Sequence, residues 1–307
     1  MLHIPYYCAY RYHMNLFLYS QVLKTKDIEY VQPLLDAAFA QSKQVYIYEP
    51  YYQQLVAAGV RLSAVPQVLT THAELLQANI DFAITLGGDG TMLHAIMLIR
   101  DSGIPILGIN LGRLGFLAVA DKRMATMALD CLFSGSYSLD PRRLIQLESN
   151  LPLFEDFNFA LNDLTIVKRD TSSMIIVHAY LNGAFLNSYW ADGLIVSTPS
   201  GSTGYSLSCG GPIIFPQSGN FVITPIAPHN LNVRPIVIPD SSTLLFEIEG
   251  RADNFLCTLD SRFAPVTAQH KLTVRCADFR INMVRIGEYS FLSTIRTKLS
   301  WGLDSRN

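Results

Sequence analysis

An α/β domain on a parallel sheet, followed by a mainly antiparallel β domain, is the fold class this 307-residue sequence predicts. Three observations carry it. Up to about residue 140, short apolar, β-branched runs alternate with segments of helical period, the pattern of βαβ units. Beyond that point strand-like runs dominate, joined by short links containing Asn-Gly, Pro-Asp and Gly-Gly. The composition, 50% hydrophobic and 16% charged, supplies a sizeable core for a chain of about two average domains.

The elements follow in order. Asn15 to Tyr19 reads as the first strand. Ile28 to Gln41 reads as a helix, with Ile28, Val31, Leu34, Leu35, Ala38 and Phe39 near helical spacing. A strand from Gln44 to Tyr48 precedes a helix from Tyr51 to Ala58. Phe82 to Leu86 is a strand covered on both faces, Met92 to Arg100 a helix, and Ile104 to Ile109 another buried strand. Ala125 to Phe133 is helical and Gly135 to Ser138 a break. In the second half, strands are expected over 144–148, 160–168, 174–181, 184–190, 193–198, 222–225, 236–238, 244–249, 255–259, 271–276 and 281–285, as two sheets or an open barrel. Leu181-Asn182-Gly183-Ala184 is a two-residue hairpin signal. The expected domains are 14–140 and 141–290, with a tail, 291–307, whose helix from Phe291 to Trp301 returns to the first domain. Residues 1–13 are aromatic-rich and lack the apolar block of a signal peptide. They read as an extension with little structure, with translation beginning naturally at Met14. A native intact mass that retains Met1 would refute this.

Four stretches carry the chemistry. Gly87, Gly88 and Gly90 follow a buried strand and open a helix, with Thr91 as its expected cap. Bare backbone and the unpaired N–H groups of a helix start make a phosphate cradle. Asp89 stands inside it. A carboxylate there repels phosphate unless it binds Mg²⁺ or takes a proton from an attacking hydroxyl, which is kinase chemistry. The same turn, alone, also fits a plain βα connection with a surface aspartate. A second glycine loop, Asn110, Gly112, Arg113, Leu114, Gly115 and Phe116, follows the next strand and brings an aromatic face for a base. Asn162-Asp163 is a polar pair inside an apolar run. Such a pair marks a strand end and suits a base edge with a ribose diol. The run from Asp192 to Pro212 is dense in small hydroxyls, with Tyr205 as a stacking surface and Asp192 placed to hold a carboxamide or ribose.

Other classes lack their marks. A formal charge of −2 gives no electrostatic case for nucleic acid or an acidic membrane. Cys8, Cys131, Cys209, Cys257 and Cys276 are scattered, which reads as free thiols in a reducing compartment rather than a zinc site or disulfide framework. The seven histidines form no HExxH-like pattern. No apolar run approaches the ~18 residues of a membrane span.

Together these motifs resemble the NAD kinase family over roughly residues 14–301. The family carries GGDG[TN]-x-L, here Gly87 to Leu93, and N-x-G-x-LGF, here Asn110 to Phe116. It carries an N-[ED] pair, here Asn162-Asp163, and a DG…STP-[ST]-G-[ST]-T-[AG]-Y run, here Asp192 to Tyr205. GGDG alone is shared with lipid kinases and phosphofructokinases; all four motifs in this order are specific. Gly204 stands where alanine is commoner.

The resemblance implies a Rossmann-like N-terminal domain, a C-terminal β domain and an active site between them. It implies transfer of a phosphoryl group from ATP, or from polyphosphate, to the 2′-hydroxyl of the adenosine ribose of NAD, with Mg²⁺ entering with ATP and no protein metal site. By position, Asp89 takes the hydroxyl proton. Asp89 and Gly90 line the ribose and phosphates, and His94 faces a phosphate. Asn162 and Asp163 hold adenine and ribose. Thr203, Gly204, Tyr205, Ser206, Leu207 and Ser208 continue the adenosine site, and Asp192 reaches the nicotinamide end. Some members make ligand contacts where this chain has Ser173, Ala227 and Arg262. The resemblance further implies a cytoplasmic homodimer or homotetramer. Two other readings stand beside it: a diacylglycerol-type lipid kinase, which shares GGDGT but needs an apolar lipid channel, and a silent dinucleotide sensor.

Overall fold

Asn15–Tyr19 and Phe82–Leu86 are mostly apolar and buried along nearly all their length, as strands covered by helices on both faces must be. They pair in parallel at the middle of a sheet. The computed structural model describes residues 14–112, 115–118, 120–169, 174–250, 254–287 and 290–302. The extension 1–13, Arg113, Leu114 and Ser173 lie outside these. Among the described residues the sheet has eight strands, in the order Gln67–Leu69, Gln44–Tyr48, Asn15–Tyr19, Phe82–Leu86, Ile106–Asn110, Ile281–Ile286 and Tyr137–Arg142, with Ala120–Asp121 also paired to Ile106–Asn110. The chain steps one way from Asn15–Tyr19 to Gln67–Leu69, then the other way from Phe82–Leu86. The order therefore reverses between Asn15–Tyr19 and Phe82–Leu86, and ligands of open α/β sheets bind at the carboxyl ends of strands beside such a reversal. The Ser20 hydroxyl donates to the Leu86 carbonyl across this point at 2.6 Å. Its core joins Leu16, Leu18, Ile84, Leu107 and Ile109 to Val31, Leu34 and Leu35 of the helix Ile28–Gln41 and to Leu129 and Leu132 of the helix Ala125–Phe133.

The second unit, Arg142–Arg280, holds two antiparallel sheets and not an open barrel. One runs Ile236–Pro239, Asn220–Ile226, Gly193–Ser197, Asp163–Lys168, Phe255–Leu259, Arg262–Val266. The other runs Ala184–Ala191, Ile175–Leu181, Leu244–Gly250, Lys271–Cys276, Ile145–Ser149, Phe159–Ala160. Leu164, Ile166, Val196 and Cys257 of the first share one core with Val177, Phe246, Leu272 and Val274 of the second. Asn182 and Gly183 both take positive φ, 50° and 82°, and close the expected hairpin.

Several elements differ from the sequence reading. The helix after the glycine turn is Asp89–Ile99, with Gly88 at its cap and no capping side chain; Thr91 is inside its first turn. The negative Asp89 side chain is itself favourable at that end, so the helix starts without a hydroxyl cap. Ile281–Ile286, read as part of the antiparallel half, pairs in parallel with Ile106–Asn110, so the chain re-enters the first sheet before its last helix, Phe291–Leu299. Four strands escaped the reading: Gln67–Leu69, Ala120–Asp121, Tyr137–Arg142 and Arg262–Val266. So did the short helix His72–Gln77, although its capping box, Thr71 with Glu74, is a legible T-x-x-E signal.

Candidate active site

In the parallel-sheet unit the glycine turn falls at the carboxyl end of Phe82–Leu86, beside the reversal of strand order. The first i→i−4 bond of the following helix runs from Met92 N–H to the Gly88 carbonyl at 3.2 Å. The N–H groups before it have no partner within the helix and point out of its start. Gly90 and His94 are exposed, and Asp89 is half-buried.

The Asp89 carboxylate is held by the second glycine loop. Its Oδ2 accepts the Phe116 N–H at 2.8 Å, and its Oδ1 accepts those of Leu117 at 3.1 Å and Ala118 at 3.0 Å. A carboxylate oxygen has two acceptor sites. Oδ1 is therefore saturated, and Oδ2 keeps one site free. Gly115 makes the approach possible, because a Cβ there would lie 1.9 Å from Asp89 Oδ1. Asn110, 2% exposed, closes the loop: its Oδ1 accepts the Gly112 N–H at 2.7 Å, and its Nδ2 faces the Ala118 carbonyl at 3.5 Å. The two glycine motifs thus form one structure. Phe116, expected to face a base, lies with its ring 6.5 Å from that of Phe291.

In the antiparallel unit, Asn162 and Asp163 sit where the strand Asp163–Lys168 begins, as a polar pair at a strand end should. Their backbone is fixed from two sides. On one, Thr198 N–H donates to the Asn162 carbonyl at 2.8 Å, its hydroxyl to the Leu161 carbonyl at 2.5 Å, and Gly201 packs so closely that a Cβ would lie 2.0 Å from the Asn162 oxygen. On the other stands Asp260, which the sequence reading missed. Its carboxylate accepts the N–H groups of Leu161 at 2.9 Å, Asn162 at 2.7 Å and Asp163 at 3.2 Å, and its own N–H donates to the Asp163 carbonyl at 3.0 Å. Asp260 forms the two-residue turn between Phe255–Leu259 and Arg262–Val266 with φ 52°. Arg262 spends its donors on the Phe157 and Phe159 carbonyls.

The run from Asp192 to Pro212 is less open to a ligand than its composition predicts. Ser197, Thr198, Ser202 and Ser206 are fully buried. Ser202 donates to the Pro199 carbonyl at 2.7 Å, Ser206 bonds Thr224 at 2.8 Å and Arg142 donates to Ser200 at 3.0 Å. These hydroxyls build the loop, since buried polar groups need partners. Gly204, Tyr205 and Ser208 are exposed, and Thr203 and Leu207 half-buried. A Cβ on Gly204 would meet the Gly201 carbonyl at 3.2 Å, a tight but small misfit that accounts for room for alanine. Asp192, just before Gly193–Ser197, pairs with Lys168 at 2.6 Å. Ala227 is exposed with φ 44°.

Burial, and then the neighbouring Asp260 carboxylate, push Asp163 up to about 7, against a lowering bond from Thr165. Burial raises Asp260 as well, opposed by its three N–H bonds. Both carboxylates are thus raised in one buried site, and Asp163 holds its proton up to about neutrality. An unfolded aspartate releases its proton near pH 4. Between there and neutrality the native state binds the extra proton, so stability falls as pH rises, by at most about 1.4 kcal/mol per pH unit. Urea unfolding at about pH 5 and about pH 7 should show this loss in the wild type and a smaller one in Asp163→Asn, neutral at both. Equal losses would refute the assignment.

The model of the ATP-NAD kinase N-terminal domain matches residues 23–137, and that of the ATP-NAD kinase C-terminal domain residues 161–286. An NAD kinase of Cytophaga hutchinsonii is 49% identical over 290 residues, covering 94% of this chain and 99% of the relative. One of Flavobacterium psychrophilum is 45% identical over 90% of this chain and 95% of the relative. Among solved structures, yeast NADH kinase complexed with NADH superposes with a TM-score of 0.83 at 22% identity, over 95% of this chain and 88% of that one. An NAD kinase from Archaeoglobus fulgidus in complex with ATP gives 0.67 at 21% identity, over 94% and 98%. These two distant structures establish the shared fold, and the near full-length relatives establish kinship: the chain belongs to the NAD kinase family.

Proposed function

We propose that the protein transfers the γ-phosphoryl group of ATP to the 2′-hydroxyl of the adenosine ribose of NAD, giving NADP and ADP. The observation that carries the chemistry is the Asp89 carboxylate, fixed at a helix start by three backbone N–H groups with one acceptor site left on Oδ2. The 2′-hydroxyl gives its proton to that oxygen as its own oxygen bonds to the γ-phosphorus. The bond from the γ-phosphorus to the bridging oxygen breaks, and ADP leaves. Phosphoryl transfer asks for positioning and charge neutralisation more than covalent help. The N–H groups at the start of the helix Asp89–Ile99, which find no partner within the helix, supply part of that, with His94 exposed on the same helix. Magnesium is assigned to the donor as MgATP, where it neutralises phosphate charge.

Adenosine recognition is assigned to Asn162, Asp163, Thr203, Gly204, Tyr205, Ser206, Leu207 and Ser208. Of these, Tyr205 offers an exposed ring, Asn162 a side chain with no hydrogen bond among the described residues, and the buried Ser206 contributes by shaping the loop. Asp192 is assigned to the nicotinamide end, its charge moderated by Lys168. The same reading includes a cytoplasmic homodimer or homotetramer. No helix of the described residues is long and apolar enough to cross a membrane. The lipid-kinase and silent-sensor readings gain no support from the relatives.

The deciding experiment incubates purified protein with NAD, Mg²⁺ and either ATP or polyphosphate, and detects NADP with an NADP-specific dehydrogenase. NADP with ATP alone supports the proposal as written, and NADP with both widens the donor. NAD binding without NADP would replace it by the sensor.

A further inference from the structure

The loop that holds Asp89 is itself held by a buried ion pair in the first sheet. Arg285, on Ile281–Ile286, and Asp140, on the neighbouring strand Tyr137–Arg142, are 4% and 7% exposed. Arg285 Nε and Nη2 both lie 3.0 Å from Asp140 Oδ2. The third arm, Nη1, donates to the carbonyl of Leu117 at 3.2 Å. The N–H of that same residue donates to Asp89 Oδ1. Leu117 is therefore pinned at both ends of its backbone, by Arg285 at the oxygen and by Asp89 at the nitrogen.

Stability alone does not ask for this pair. Two buried charges pay a large desolvation cost, and an apolar pair of the same volume commonly stabilises as well or better. What an apolar pair cannot do is donate to a loop carbonyl. The rigid planar guanidinium of arginine engages a carboxylate along one edge and still presents its remaining nitrogen in a fixed direction.

We propose that Arg285, anchored by Asp140, is a positioning residue for phosphoryl transfer: by holding the Leu117 carbonyl it sets the three N–H groups that aim the Asp89 carboxylate at the acceptor hydroxyl. This rests on Asp89 as the proton acceptor. The arrangement acts on the attack geometry and not on NAD recognition. A misplacement of about 1 Å in such a group costs up to about 10²-fold in rate.

The test compares Arg285→Lys and the apolar double variant Arg285→Met/Asp140→Leu with wild type, in steady-state kinetics with NAD and MgATP, each also in the Asp89→Asn background. Arg285→Lys keeps a cation for Asp140 and loses the fork, so it reports even if the double variant fails to fold. The expected result is a fall in kcat of about 10- to 100-fold, with KM for NAD within about twofold. In the Asp89→Asn background the same change should lower the residual rate no further, because a residue acting through Asp89 has nothing left to position. A folded Arg285→Lys with wild-type kcat, or an equal loss with and without Asp89, overturns the proposal. Full activity of Asp89→Asn itself would instead overturn the assignment of Asp89, so the two failures are distinct.

Discussion

Asp89→Asn loses about 10²–10⁴ of turnover while NAD binding survives, the range expected when a general base is removed from a proton transfer. The amide cannot accept a proton at neutral pH. A ribose hydroxyl is a very weak acid, so the attack then proceeds with its proton still attached or passed to water. The substitution is nearly isosteric, but it is not silent for the loop. One carboxylate oxygen becomes an NH₂ group. If it replaces Oδ2, it faces the Phe116 N–H at the 2.8 Å distance where an acceptor stood. The oxygen can stay at the Oδ1 position and keep the Leu117 and Ala118 bonds. Two of three contacts therefore persist, and the fold around the turn should hold. Kinetic and NAD-titration measurements on the purified variant separate the outcomes. A kcat near wild type would mean that another group, or water, takes the proton. A loss of NAD affinity as large as the loss of kcat would mean that Asp89 serves binding before chemistry.

The candidate residues of each unit announce themselves in sequence where unusual residues concentrate, and stay hidden where ordinary ones serve. Gly87–Gly90 and Asn110–Phe116 are legible because close approach demands glycine; Gly115 is a clear case, with the Asp89 carboxylate occupying the space of its missing side chain. Their mutual contact is not legible, since Phe116 N and Asp89 are 27 positions apart and nothing local encodes the pairing. Asp260 is more deeply hidden. It lies in a plain Leu259-Asp260-Ser261-Arg262 link and acts on an N–H group 98 positions away. Arg285 carries a faint signal, a charge inside the apolar run Ile281–Ile286, but its partners belong to a sheet that the run was not assigned to. Sheet membership is a long-range property, and a six-residue apolar run fits either sheet equally well. The small hydroxyls of 197–206 misled in the opposite direction. Composition shows that they are polar, but only packing shows that Thr198, Ser202 and Ser206 are already spent on the loop itself.

Asp260→Ala should have the largest effect on stability in the antiparallel unit, about 3 kcal/mol or more, with a rise in KM for NAD and little change in kcat. Three N–H groups, on Leu161, Asn162 and Asp163, lose their acceptor at once. Leaving a buried donor unpaired costs about 1–3 kcal/mol each. Alanine at φ 52° adds strain, because the left-handed region suits Asp, Asn and Gly better than a plain Cβ. Against these stands one gain, the removal of a buried charge that burdens Asp163. That gain is shared with only one neighbour, whereas the loss falls on three bonds, so destabilisation wins. The consequence for function follows from geometry. Without the Asp260 carboxylate, the Asn162–Asp163 turn keeps its Thr198 and Gly201 side and the single backbone bond from residue 260 to the Asp163 carbonyl, and the two side chains assigned to adenosine are held less firmly. Asp89 belongs to the other unit and keeps its own contacts. Urea unfolding together with steady-state kinetics in NAD checks both parts. Wild-type stability would show that water replaces the carboxylate, and an unchanged KM would remove Asn162 and Asp163 from the recognition of NAD.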